Sequence, residues 1–124
     1  MTHPLLLLAA AFMAGLAVAH SLLGEKWLIG PLVAEETRAG LLVRSRFALR
    51  VLRFAWHLTS VAFLGLAAPL VVYAFAAIDA PARLALRLVG ASLLVMGAVV
   101  LASSRGRHLA WPFFLGAGAI AATA

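Results

Sequence analysis

The residues with the most capacity for chemistry in this chain are three histidines, His20, His57 and His108, and one carboxylate, Glu25. Neutral imidazole and carboxylate together suit Zn, Fe(II), Mn, Ni or Cu(II), and two imidazoles can hold haem iron axially. Their neighbours sharpen the pattern. Arg50, Arg53, His57 and Ser60 follow the i, i+3, i+7, i+10 spacing of one helix face, with Trp56 beside that stripe and Thr59 near it. Ser21 and Glu25 are one helical turn apart, as are His108 and Trp111. His20 and Glu25 are five positions apart, about 140° around an ideal helix. Both face inward only if Gly24 bends or ends that helix. Ser21, Thr59, Ser60 and Arg53 are candidates to hydrogen-bond such ligands and orient them. No pair has a spacing diagnostic of a metal site, such as H-E-x-x-H. The fourth histidine, His3, is assigned no role.

The elements that must position these residues follow from composition. The chain has 124 residues, 65% apolar and only 11% charged, with mean hydropathy +1.09. Ordinary globular proteins have about 45–50% and about 25%. A chain this short forms one domain at most, and a soluble fold of that size cannot hide so much apolar surface. The composition therefore describes an integral membrane protein. Cysteine is absent, which excludes disulfides, thiolate ligands, iron–sulfur clusters and cysteine nucleophiles. The net charge of +6 would suggest nucleic acid in a soluble protein. Here the charges flank apolar runs and no recognition motif accompanies them, so nucleic acid is not an expected partner. Topology and anionic lipid account for them better.

Four apolar runs supply the expected spans, at about residues 4–23, 47–77, 82–102 and 108–123. The first reaches about 30 Å at 1.5 Å per residue, enough to cross a bilayer. Ala17-Val18-Ala19 resembles a signal-cleavage site, but no Lys or Arg precedes it, so the run reads as a retained helix. The second run exceeds what a bilayer needs, and Pro69 is a candidate kink within it. Between them lies the only long polar stretch, residues 24–46. Pro31 predicts a break there, and Glu35-Glu36-Thr37-Arg38 predicts a new helix start. Leu41, Leu42 and Val43, set between Arg38 and Arg44, predict a segment along the membrane surface anchored by Trp27. Ile78-Asp79-Ala80-Pro81 and Ser103-Ser104-Arg105-Gly106-Arg107 read as tight turns. The expected fold is all-α: an integral membrane four-helix up-down bundle, one transmembrane domain over residues 1–124, with an interfacial segment between helices 1 and 2. Small residues predict close helix packing, through Ala11, Gly15 and Ala19, through Gly90 and Gly97, and through Gly118 and Ala122. Self-association through one of these stripes, or entry into a larger membrane complex, is the alternative use.

Charge sets the expected orientation. Lys26, Arg38, Arg44, Arg46, Arg50, Arg53, Arg105 and Arg107 fall on one side, and Arg83 and Arg87 on the other. The positive-inside rule puts the first group in the cytoplasm of a bacterial inner membrane and both termini in the periplasm. His20, His57, His108 and Glu25 then sit at similar depth on the cytoplasmic face. Trp27, Trp56 and Trp111 lie on the same side and read as interfacial anchors. Arg50, Arg53, Arg105 and Arg107 are expected to meet anionic lipid headgroups.

Three stretches carry a resemblance: His20-Ser21-x-x-Gly24-Glu25, Leu52-Arg53-Phe54-Ala55-Trp56-His57-Leu58-Thr59-Ser60 and Gly106-Arg107-His108-Leu109-Ala110-Trp111. In this order they resemble small uncharacterised four-helix bacterial inner-membrane proteins. The resemblance implies a four-span fold and carries over no catalytic residues.

Several functional readings fit these residues. In the first, His20, His57, His108 and Glu25 hold one transition metal (Zn, Fe, Cu or Mn) near the cytoplasmic face. An enzyme would need in addition an open ligand position and a polar pocket. In the second, two of the histidines ligate haem b for electron transfer, with arginines at the propionates. In the third, the polar group fixes packing in a non-catalytic accessory subunit or a lipid- or quinone-binding protein. Transport would require an oligomer.

Overall fold

A computed structural model describes residues 3–39 and 46–124 of the chain. Helix α1, Pro4–Gly24, continues through a π turn at Glu25–Ile29 into α2, Gly30–Ala39. Helices α3, Arg46–Phe75, α4, Ala80–Ser104, and α5, Trp111–Thr123, follow. With α1 and α2 counted as one continuous rod, this is the expected all-α four-helix bundle. Three rods, Pro4–Glu35, Phe47–Phe75 and Ala80–Ser104, are long and apolar enough to cross a membrane. The fourth, α5, is apolar but has only 13 residues. It spans about 20 Å, short of the roughly 30 Å hydrocarbon core.

The seams have a 3.5-residue repeat. Buried positions on α3 are Ser60, Phe63, Ala67, Leu70 and Ala74; on α1 they are Leu6, Ala9, Ala10, Met13 and Ala17, of which Leu6, Ala10, Met13 and Ala17 keep the same steps. Alternating steps of three and four are the signature of knobs-into-holes packing at shallow crossing angles. The most extensive contacts are α1 with α3 and α4 with α5; α1 also lies along α5. Helices α3 and α4 barely touch, although one short turn joins them. Large apolar residues on the outward faces, among them Phe54, Val61, Leu84, Leu88, Val95 and Val99, are exposed. A hydrocarbon solvent accommodates such a surface; water does not.

The turn expected at residues 78–81 is present and has a specific cap. Asp79 Oδ1 accepts from the Ala82 amide at 2.9 Å, with Pro81 in the first turn of α4. At the other end of α4, Arg105 (φ 51) and Gly106 (φ 78) reverse the chain, and the Gly106 amide reaches back to the Leu101 carbonyl at 2.9 Å. This reversal and Pro112 delay the last helix. Residues 108–110, expected inside the fourth span, belong to the turn.

Two other expectations are corrected. Pro31 does not end the helix. It has no amide to give to Trp27, and its ring crowds that carbonyl. The π turn just ahead, in which the Gly30 amide bonds the Glu25 carbonyl, absorbs the misfit. Residues 35–38 therefore lie inside α2 rather than opening a helix, and residues 41–44 lie outside the described residues. The Ala11–Gly15–Ala19 stripe does not pack the bundle either. Ala11 and Gly15 are exposed, and a Cβ on Gly15 would meet nothing within 4 Å.

The close approach lies between α4 and α5 instead. A Cβ on Gly90 would stand 2.6 Å from the Ala122 nitrogen and 2.8 Å from the Gly118 oxygen, all backbone atoms that cannot swing aside. Gly90→Leu is expected to cost about 1–3 kcal/mol or more through overpacking. Gly15→Ala is expected to be neutral, or stabilising by up to about 1 kcal/mol through helix propensity. Thermal unfolding of the detergent-solubilised variants checks both.

Candidate functional site

The α1–α3 seam changes chemistry at one end. Continued past Ala17, the repeat on α1 reaches His20 and Gly24; continued past Ser60, that on α3 reaches Trp56 and Arg53. These two rows meet. The Trp56 indole stacks on the His20 ring (centroids 4.2 Å apart, planes 9° apart) and donates from Nε1 to the His20 carbonyl at 2.8 Å. It also lies directly over Gly24, where a Cβ would be 2.5 Å from Cε2. Only glycine lets the indole lie this close to the α1 backbone.

A second row runs alongside. The Ser21 Oγ and His57 Nδ1 are 2.6 Å apart, and His57 Nε2 is 3.3 Å from Glu25 Oε2. Arg53 donates to Glu25 Oε1 at 2.6 Å. Ser21 and Glu25 are one turn apart on the α1 rod, His57 and Arg53 one turn apart on α3, and the helices run antiparallel. Each residue therefore meets its partner without distortion. An ionised carboxylate only accepts, so His57 carries its proton on Nε2. In the neutral ring Nδ1 is then an acceptor, and the Ser21 hydroxyl donates to it.

Gly24 is the last residue of α1, and its φ and ψ of −63° and −43° carry the rod on into the π turn without a break. His20 and Glu25 both find partners on α3 because Trp56 and His57, adjacent in sequence, each take one row.

Beneath the network lie two unpaired atoms. Ser60 is 6% exposed and its Oγ has no hydrogen-bond partner; His20 Nε2 is likewise buried without one, its ring set edge-on to Phe63. Thr59 turns away and donates to the Ala55 carbonyl of its own helix. His108 is exposed; its Nδ1 accepts from the Ala110 amide at 3.2 Å. Of the four expected metal ligands, then, Glu25 and His57 touch one another, His20 lies against Trp56, and His108 folds onto its own turn. Among the described residues, no three His, Asp or Glu side chains are grouped to hold a metal ion. Of the three tryptophans expected as anchors, Trp27 is 68% exposed. Trp111 is half-buried and donates to the Gly106 carbonyl at 3.3 Å. Trp56 works between helices instead. The sequence signal for that role is Gly24, a small residue at a seam position opposite a large one.

No protein-family model, curated protein or solved structure matches this chain.

Two outcomes follow from this geometry. Gly24→Ala is expected to expel the indole, shifting Trp fluorescence and lowering the melting temperature. Ser60→Ala is expected to leave stability unchanged or raise it by about 1 kcal/mol, because it removes a buried hydroxyl that nothing satisfies. The Arg53–Glu25 pair is 47% and 34% exposed. A double-mutant cycle with Arg53→Gln and Glu25→Gln is expected to give a coupling of about 0.2–1 kcal/mol.

Proposed function

We propose that this chain is a polytopic protein of a bacterial inner membrane, that its network end faces the cytoplasm with both termini periplasmic, and that this end binds the anionic headgroup of a membrane amphiphile. One observation carries the reading. The Ser21–His57–Glu25–Arg53 network sits at the end of the bundle that carries most of the basic residues and the tryptophans. Lys26, Arg105 and Arg107 are exposed at that end. A juxtamembrane cation near an anionic leaflet contributes about 1 kcal/mol, and guanidinium pairs bidentately with phosphate. By tying α1 to α3 in one register, the network keeps this end in a fixed shape.

Thermal unfolding in nanodiscs tests the binding. The melting temperature is expected to be higher in phosphatidylglycerol than in phosphatidylcholine, and the double variant Arg105→Gln/Arg107→Gln is expected to lose most of that difference. Equal wild-type melting temperatures in the two lipids would refute it. Because the chain has no cysteine, single substitutions report orientation directly. An impermeant maleimide is expected to label Ala80→Cys in intact spheroplasts, and Arg107→Cys only after permeabilisation.

The transition-metal reading has one observation in its favour. The His20 Nε2 is buried and has no hydrogen-bond partner. Elemental analysis and a visible spectrum of protein purified without chelators, beside His57→Ala, decide it. Stoichiometric metal or a Soret band that the variant loses would replace the headgroup reading with a metal or haem centre.

A further inference from the structure

We propose that Ser21 is a nucleophile for acyl transfer, with His57 as its general base and Glu25 as the group that orients the base. The inference rests on the interfacial placement argued above. A nucleophile hydrogen-bonded to a base, and the base to an orienting group, is the general signature of covalent catalysis. All three parts are here: Ser21 Oγ to His57 Nδ1 at 2.6 Å, and His57 Nε2 to Glu25 Oε2 at 3.3 Å. The Arg53 guanidinium, 2.6 Å from the other carboxylate oxygen, fixes Glu25 in turn.

The behaviour of the other hydroxyls makes Ser21 distinctive. Within helices, Ser and Thr usually donate back to a carbonyl of the preceding turn. Thr59 does so to Ala55, Ser92 to Leu88, Ser104 to Val100 and Thr123 to Ala119. Ser21 instead pairs with the Nδ1 of an imidazole on another helix. It is half-buried rather than sealed, so its oxygen can be reached. Its position also selects a substrate class. Ser21 stands about 25 Å along α1 from Pro4 at 1.5 Å per residue, near one boundary of a hydrocarbon core about 30 Å thick. The carboxylic ester of an amphiphile lies at that depth, with its headgroup among the basic residues of that end.

The chemistry balances without a redox partner. Ser21 Oγ forms a bond to the ester carbonyl carbon while its proton passes to His57 Nδ1. The bond from that carbon to the alcohol oxygen breaks, and the alcohol leaves with the proton from His57. Water then attacks the acyl-serine, returns a proton through His57 to Ser21, and releases the carboxylic acid. Glu25 keeps the Nε2 proton and the ring orientation throughout.

A long-chain alkyl fluorophosphonate applied to the full chain in nanodiscs tests the proposal. The wild type is expected to form one adduct, mapped by mass spectrometry to Ser21, and Ser21→Ala none. His57→Asn retains a polar group near the Nδ1 position but supplies no base. It is expected to slow labelling about 100-fold or more. The proposal is overturned by absence of an adduct on the wild type, by equal labelling of other serines, or by undiminished Ser21 labelling in a folded His57→Asn variant. Melting temperatures in phosphatidylglycerol and phosphatidylcholine, read on the same preparation, separate the two readings. No adduct with the lipid difference intact removes the nucleophile alone; no adduct and no lipid difference removes the interfacial headgroup site as well.

Discussion

The contact between the Trp56 indole and the bare backbone at Gly24 sets the geometry of the polar end. A side chain at position 24 would hold the indole off α1, and three bonds depend on its being close. One is the donation from Trp56 Nε1 to the His20 carbonyl. The other set follows from sequence adjacency, because His57 and Arg53 are carried on the same stretch of helix as Trp56. With the indole seated, His57 lands on Ser21 and Arg53 on Glu25. Hydrocarbon offers no hydrogen bonds, so polar groups near it must be satisfied within the protein or at the water boundary. A glycine thus bears on whether the carboxylate next to it in sequence meets an arginine on the facing helix.

Much of this was legible in the residue pattern, and what was not has identifiable causes. Hydropathy located the long rods, and the Asp-Ala-Pro signature located the turn at Asp79. Helical spacing put Arg53, His57 and Ser60 on one face and joined Ser21 to Glu25. The failures lie where a second element decides. Proline inside a helix normally costs enough to end it, but a π turn beginning at Glu25 let the chain continue past Pro31. The angle between His20 and Glu25 looked too wide for a common partner. It is too wide for one residue of α3 but suits two adjacent ones, and the position of the α3 axis is not written in α1. A stripe of small residues marks a surface that allows close approach, not one that receives it. Gly90 and Gly118 are filled by each other's backbones, whereas nothing stands over Gly15. Spacing alone expects His108 at the depth of His20 and His57, but after the left-handed turn at Arg105 and Gly106 its ring folds onto its own backbone.

The network and the apolar core divide the stabilisation between them by kind. Ala9, Ala10, Ala17, Ala67, Ala74, Ala117 and Ala121 line the buried seams. Small side chains of this sort bring helix axes close and give dispersion contact without directional information. The paired rungs between α1 and α3 add direction, because displacement by one turn would part His57 from Ser21 and Arg53 from Glu25. The ion pair contributes little free energy where it is this exposed. Its geometry fits this one alignment of the two helices.

The order of contacts along the chain bears on how such a protein is made. Helix α1 embraces α3, and α4 embraces α5, while α3 and α4 scarcely meet. Each half of the chain is therefore an antiparallel hairpin built from consecutive segments, and the α1–α5 seam joins the halves. During synthesis the first hairpin can close, with its charged rungs already neutralised, before α4 leaves the ribosome. Both partners of the Arg53–Glu25 pair lie within that first hairpin. The later hairpin closes on its glycine seam and brings no ion pair among its described residues. In biogenesis the energetically awkward step falls early, while little chain is exposed to error.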